Sequence, residues 1–145
     1  MADRTQSFKN HARYFPLFHF VAFPILLLNL LNTARHVYLS PDRSTVFAMV
    51  VAFGLCALAL AARVMALTVQ DRVIRLEMQL RLARVLPADM QVKAMALERG
   101  HFVALRFAPD DELPTLVREI TEGKLSAPKE IKARVKNWQS DWLRA

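Results

Sequence analysis

Histidine is the residue type in this chain with the widest chemical range, because a neutral imidazole nitrogen can ligate a metal. The sequence has four, at His11, His19, His36 and His101, and no two have the short spacing of a zinc motif. His19 and His36 lie toward opposite ends of one long apolar segment. There His19 is a candidate ligand for haem iron or for the magnesium of a chlorophyll. Hydrogen bonding at the level of the lipid headgroups explains both histidines more simply.

Other patterns that carry chemistry are missing from the sequence. Three glycines are too few for a phosphate-binding loop or a dinucleotide fingerprint. The acidic cluster at residues 110–112 is explained by a helix start, where carboxylates are favourable. The single cysteine, Cys56, cannot form an internal disulfide, so we expect it to be a packing residue. We therefore predict no catalytic residue, no metal site and no enzyme activity. No resident cofactor is predicted, although contact with lipid, bacteriochlorophyll or carotenoid stays open.

Two apolar segments dominate the first half of the chain. Residues 14–39 and 45–67 are separated only by the polar turn at residues 40–44. A helix needs roughly 20 apolar residues to cross a hydrocarbon layer, and both segments meet that length. A soluble core rarely contains two such helices with so short a connection. The sequence therefore predicts an all-α membrane protein built on an antiparallel transmembrane hairpin.

The positions of the basic residues predict the orientation of this hairpin. The formal net charge is +7, and Lys and Arg near the ends of membrane spans favour the cytoplasmic side. Most of the basic residues near the spans lie before the first span or around the end of the second: Arg4, Lys9, Arg13, Arg63, Arg72, Arg75, Arg81 and Arg84. The turn side offers only Arg35 and Arg43. We expect a multi-pass protein of the bacterial cytoplasmic membrane with both termini in the cytoplasm. Its basic face fits anionic lipid better than nucleic acid.

Several residues within the two spans are expected to contact neighbouring helices. Pro24 removes a backbone donor and should kink the first helix. Asparagine side chains can hydrogen-bond across helices in lipid, and small residues let helices approach closely. The residues singled out on these grounds are Pro24, Asn29, Asn32, Ala48, Ala52 and Gly54.

The second apolar segment continues into an amphipathic one at residues 68–86. Val69, Val73, Leu76, Leu80 and Ala83 follow one another at spacings of four and three residues, which is heptad-like. One helix from about residue 45 to 86 is expected, on the order of 60 Å long and extending into the cytoplasm. A helix of that length must rest on a partner subunit, a second copy or the chain's own C-terminal part. We therefore expect Val73, Leu76 and Leu80 to be packing residues.

The rest of the chain is a polar, basic arm at residues 1–13 and a helical subdomain at residues 87–145. Within the subdomain, Gly100 and Gly123 are expected to end helices, and Ser126 is the expected N-cap of the last one. That last helix should carry one apolar face: Ile131, Val135, Trp138 and Trp142. Such a helix lies against either the membrane or a protein.

Motifs along nearly the whole chain resemble one protein family. They are the segments at residues 10–13, 18–24, 69–72, 76–77, 82–87, 104–108, 111–114, 126–132 and 137–138. The chain is similar in these segments to an uncharacterised family of small bacterial proteins with two transmembrane helices. The resemblance implies the two-span topology and supplies no catalytic residue.

These features favour a non-catalytic accessory or scaffolding subunit of a larger integral membrane complex. Photosynthetic, respiratory and transport assemblies are the candidate hosts, and the preferred one is a bacterial photosynthetic reaction-centre and antenna assembly. The alternative is a membrane-anchored regulatory adaptor that binds a soluble partner or nucleic acid through its cytoplasmic helices. A small transporter is disfavoured, because neither span contains an acidic residue of the kind that marks an ion pathway. Other membrane subunits and lipid are the expected partners, and a homo-oligomer stays open.

Overall fold

The computed structural model describes residues 7–8 and 14–141, and within them the chain is helical with no strand. This confirms the all-α prediction for the described part. Six helices follow one another: α1 (Leu17–Leu39), α2 (Arg43–Val85), α3 (Ala88–Met95), α4 (Arg99–Leu105), α5 (Leu113–Thr121) and α6 (Pro128–Arg134). Helices α1 and α2 are long and apolar enough to cross a membrane.

The chain divides into two units. The N-terminal unit holds α1 and the part of α2 up to Thr68, and the C-terminal unit begins at Val69 and holds α3 to α6. Helix α2 is one continuous helix of 43 residues, as its lack of internal breakers predicts. The end of the sequence from Trp142 onward, and most of the basic arm at residues 1–13, lie outside the described residues.

Pro24 changes the hydrogen bonding of α1 where a kink was expected. It has no N–H, so the carbonyl of Phe20 loses its usual helical partner. The turns before it, Leu17–Ala22, are π-helical, and the N–H of Phe23 donates to the carbonyl of Phe18 five residues back. A π-turn before a proline is one of the recognised ways in which a helix absorbs a missing bond.

Asp42 starts α2 after a short connection. Its Oδ1 accepts hydrogen bonds from the Thr45 N–H and the Ser44 hydroxyl, both at 2.8 Å, as an N-cap carboxylate does. The connection is three residues, Ser40 to Asp42, rather than the five expected, because Arg43 and Ser44 already belong to the helix. Most large apolar side chains of this unit are exposed, whereas Ala52 and Cys56 are buried.

The C-terminal unit has a hydrophobic core to which α2 contributes one face. That face is Ile74, Met78 and Leu82, with Leu86 just beyond the helix. The long helix therefore rests on the chain's own C-terminal part, one of the three supports considered. The expected heptad residues do not make this contact: Val73, Leu76 and Leu80 are exposed. The core is completed from the other helices by residues that include Phe102, Leu105, Leu113, Val117 and Ile131.

Of the two glycines expected to end helices, only one does so. Gly100 does not stop a helix. It is the second residue of α4, and α3 already ends at Met95. A Cβ on Gly100 would lie 2.9 Å from Cγ of Pro128, so the glycine permits close approach of α4 and α6. Gly123, in contrast, has φ of 75° and ends α5 as predicted.

The last helix is shorter than its apolar pattern predicts. Helix α6 ends at Arg134, and Val135 is extended. Trp138 therefore does not continue a helical face, but packs on Phe107 with ring centroids 4.6 Å apart. The start of α6 is capped by Glu130, which accepts from the N–H groups of Ser126 and Ala127 at 3.1 and 3.0 Å. The N-cap is Ala127 rather than Ser126, because the helix begins at Pro128, one residue later than expected.

Candidate functional site

His19 is held in one orientation within the N-terminal unit. Its Nδ1 donates to the carbonyl of Phe15 at 2.9 Å, which leaves the lone pair of Nε2 as the acceptor. The rings of Tyr14 and Phe18 meet the imidazole edge-on at 5.3 and 5.1 Å. A ligating histidine is commonly oriented in this way. Among the described residues, no group of three or more His, Cys, Asp or Glu side chains could hold a metal ion, but a haem or chlorophyll would need only His19 from this site.

Some of the other residues singled out in the spans are buried within the chain, and others are exposed on its surface. Ala52 is 1% exposed, so it packs within the chain. Asn29, Asn32, Ala48 and Gly54 are exposed. A Cβ on Gly54 would meet no atom within 4 Å. The outward residues therefore present small or polar groups on the surface of the N-terminal unit.

The C-terminal unit presents an apolar stripe on α2. Val69, Val73, Leu76 and Leu80 are between 49% and 62% exposed, and Ala83 is also exposed. These five residues are called the α2 seam below. Contiguous apolar surface on a folded protein usually marks an interaction site. Among the described residues of the C-terminal unit, Val92 is the other large hydrophobic residue that is exposed.

A groove of about 350 Å³ borders the seam. Its helical wall includes Val69, Val73 and Met78, and its opposite wall includes Arg106 and Asp141. The Arg106 Nε lies 2.8 Å from Asp141 Oδ2, so these charges neutralise each other. The groove offers an apolar wall rather than a reactive group.

Arg81 ties α2 to the segments that follow α4 and α6. Its Nε donates to Asp110 Oδ1 at 2.6 Å, and its Nη2 donates to the carbonyl of Ala108 at 2.8 Å and to Gln139 Oε1 at 3.1 Å. Three acceptors from two segments converge on one guanidinium, which is only 19% exposed. From the sequence, Arg81 was treated only as one of the basic residues near the spans, and this role was missed because its partners lie 27 to 58 residues away.

Replacing Arg81 with methionine should destabilise the C-terminal unit by roughly 1.5–3 kcal/mol, the value for hydrogen bonds to charged groups. Methionine keeps the apolar stem and removes the donors. The matched control is Arg84→Met on the same helix, where Arg84 is exposed and a change within about 0.5 kcal/mol is expected. Thermal unfolding of the full chain in detergent measures both. Equal effects would show that Arg81 makes no special contribution.

Three glutamates hold the segment at residues 126–137 in place. Glu112 accepts from the backbone N–H groups of Lys136 and Asn137, each at 3.0 Å. Glu119 makes a two-point ion pair with Arg134 at 2.9 and 3.1 Å, and this hydrogen bonding lowers the pKa of Glu119. The N–H groups of Ala127, and then Ser126, lower the pKa of Glu130.

These lowered pKa values predict acid sensitivity of the C-terminal unit. A carboxyl whose pKa is lowered in the folded state contributes stability that is complete above its ordinary value of 4.5. That contribution is lost as the pH falls through the lowered folded value. Thermal unfolding should therefore shift to lower temperature below about pH 4.5. The Glu119→Gln, Glu130→Gln double variant should be less stable at neutral pH, and its unfolding temperature should fall less steeply below about pH 4.5. An equally steep fall in the double variant would refute this assignment.

Comparison with known proteins places the chain in a family without assigning it an activity. No curated protein and no solved structure matches the chain. A family described as a family of unknown function matches residues 1–145, as the resemblance in the sequence predicted. The chain belongs to this family, DUF6526.

Proposed function

We propose that this protein is a non-catalytic accessory subunit that scaffolds a larger integral membrane complex of the bacterial cytoplasmic membrane. The observation that supports this best is the amount of apolar side chain that the described residues leave exposed. Exposed side chains along both spans include Phe20, Leu28, Phe53 and Leu58. Burial of such surface in lipid and against other subunits removes it from water.

The short connection and one contact support an antiparallel hairpin in the membrane. A connection of three residues keeps the end of α1 close to the start of α2. The guanidinium of Arg63, late in the apolar part of α2, lies 5.9 Å from the ring of Phe18 near the start of α1. Such a contact is expected if α2 runs back along α1. With basic residues concentrated at that end, the termini are cytoplasmic and the turn faces outward.

The scaffold acts through two surfaces. Within the membrane, Asn29, Asn32, Ala48 and Gly54 lie outward, where amide groups and small residues can meet neighbouring helices. In the cytoplasm, the α2 seam offers an apolar stripe. No charged catalytic cluster is needed for this role. The photosynthetic host stays a prediction.

A membrane-anchored adaptor is the second candidate, and the hydrophobic core of the C-terminal unit favours it. Phe102, Leu105 and Leu113 are fully buried, so the cytoplasmic part is an organised unit that can present a surface to a soluble partner. This function predicts that the spans serve only as an anchor.

The test is native purification of the tagged full chain in mild detergent, followed by native electrophoresis and mass spectrometry. An accessory subunit comigrates with the same integral membrane proteins in constant ratio. Migration only as a free monomer or dimer would contradict the proposal. Substitution of Gly54 by leucine tests the helix contact specifically, because a side chain at Gly54 would meet no atom of the chain itself within 4 Å of its Cβ. This variant should remain folded and lose comigration, whereas the control Val51→Leu should keep it. An adaptor would tolerate both.

A further inference from the structure

The α2 seam has the geometry of a coiled-coil interface. Its residues are spaced by four, three, four and three positions, so Val73 and Leu80 occupy a positions, whereas Val69, Leu76 and Ala83 occupy d positions. All five are exposed. Helix α2 buries a different face, Ile74, Met78 and Leu82, in the core of its own unit. The helix therefore has two apolar faces, and the C-terminal helices cover only one.

We propose that the seam pairs with the seam of a second copy of this chain to form a parallel, two-stranded coiled coil over residues 69–83. The parallel direction rests on the proposed function, because two copies inserted in one membrane with the same orientation present α2 in the same direction. A two-fold axis along the membrane normal then brings each seam residue opposite itself.

The flanking charges fit this arrangement. In a parallel coiled coil, a g residue of one helix faces the following e residue of the other, five positions further along. Arg72 occupies a g position and Glu77 the following e position, and both side chains are exposed. Arg72 of each copy thus faces Glu77 of the other, and the symmetry forms this pair twice. Complementary charge at e and g positions is what selects partner and direction in coiled coils.

The membrane compensates for the short length of the seam. Two heptads alone associate weakly in water, since short isolated helices are marginal. Helix α2 is already formed here and packed on its own unit, so little helix-forming entropy is lost. Anchoring both copies in one membrane also raises their effective concentration.

Cysteine crosslinking in native membranes tests the proposal. In a full-length Cys56→Ser background, Val73→Cys and Leu76→Cys should form disulfide-linked homodimers on mild oxidation. Arg75→Cys, which is exposed on the same helix but lies at a c position, should not. Crosslinking at Arg75 as efficient as at Leu76, or none at the seam, would overturn the proposal. So would crosslinks from the seam only to a different protein.

Charge exchange provides an independent readout. Arg72→Glu alone and Glu77→Arg alone each turn two attractive pairs into repulsive ones, and each should lower homodimer crosslinking about fivefold to thirtyfold. The double variant restores opposite charges and should recover most of the loss. Failure of that rescue would contradict the parallel register.

The dimer and the accessory function can fail separately. If seam crosslinks fail while the chain still comigrates with a larger complex, the dimer is refuted and the accessory function stands. If seam crosslinks form but no larger complex is found, the accessory function is refuted and the dimer stands.

Discussion

Replacing Phe102 with alanine is expected to destabilise the C-terminal unit by about 3–5 kcal/mol, the usual cost of removing a buried aromatic ring. Phe102 is 0% exposed, and the guanidinium of Arg75 lies 5.8 Å from its ring. A unit this small has a total stability toward the lower end of about 5–15 kcal/mol. Loss of Phe102 therefore removes much of the margin between the folded and unfolded states.

Limited proteolysis of the full chain in detergent measures this effect, because an unfolded C-terminal unit is cleaved while lipid-like surroundings protect the spans. The matched control is Val92→Ala on α3, where the side chain is 79% exposed and almost no change is expected. Similar cleavage of the two variants would mean that the core assigned to this unit is wrong.

Replacing Leu58 with arginine should shift the membrane insertion of α2 by about 3–4 kcal/mol, the difference between leucine and arginine at the centre of a span. Leu58 is 65% exposed and lies near the middle of the apolar part of α2. Each 1.4 kcal/mol is tenfold in an equilibrium, so the ratio of inserted to uninserted helix should fall by more than about a hundredfold.

A glycosylation acceptor placed after Ala145 reports this change in a microsomal translation assay. The unsubstituted chain is predicted to keep its C-terminus on the cytoplasmic side and to stay unmodified, whereas failure of α2 to insert should move the acceptor into the lumen. Val46→Arg is the control, since an arginine near a span end can extend to the interface at small cost. If α2 were a helix of a water-soluble protein, both variants would behave alike.

The sequence predicts the long elements of this fold well, because hydrophobicity is a local property that extends over many residues. The two long apolar helices, the continuity of α2 and the helical nature of the C-terminal part all appear in the structure. The exact connection between α1 and α2 differs, because Asp42 caps α2 before Thr45. Local capping of this kind depends on which of several adjacent polar residues accepts the bond, and pattern alone does not decide it.

The packing face of α2 shows what periodicity alone does not decide. The heptad residues Val73, Leu76 and Leu80 were expected to pack on a partner subunit, a second copy or the chain's own C-terminal part, and within the chain they are exposed. A second stripe at a spacing of four, Ile74, Met78 and Leu82, was also present in the sequence and is the one that is buried. Hydrophobic periodicity identifies apolar faces, but only the partner surface decides which face is covered. That partner is formed by residues of α3 to α6, later in the chain.

Contacts between distant residues were outside the reach of sequence reasoning. The bond of Arg81 to Asp110 and the approach of Gly100 to Pro128 depend on how short helices fold back on α2. Gly100 was interpreted as a helix stop because glycine often has that role. In the structure Gly100 instead permits the close approach of α4 and α6. A glycine in the sequence is compatible with either role.

Cysteine labelling of the two sides of the membrane tests the topology most directly. In a full-length Cys56→Ser background, Ser44→Cys places a thiol at the start of α2 and Ser126→Cys places one in the C-terminal unit. A membrane-impermeant maleimide added to intact cells is predicted to label the Ser44→Cys variant, and to label the Ser126→Cys variant only after the membrane is opened. Labelling of both variants from the same side, or recovery of the protein in water without detergent, would contradict the account.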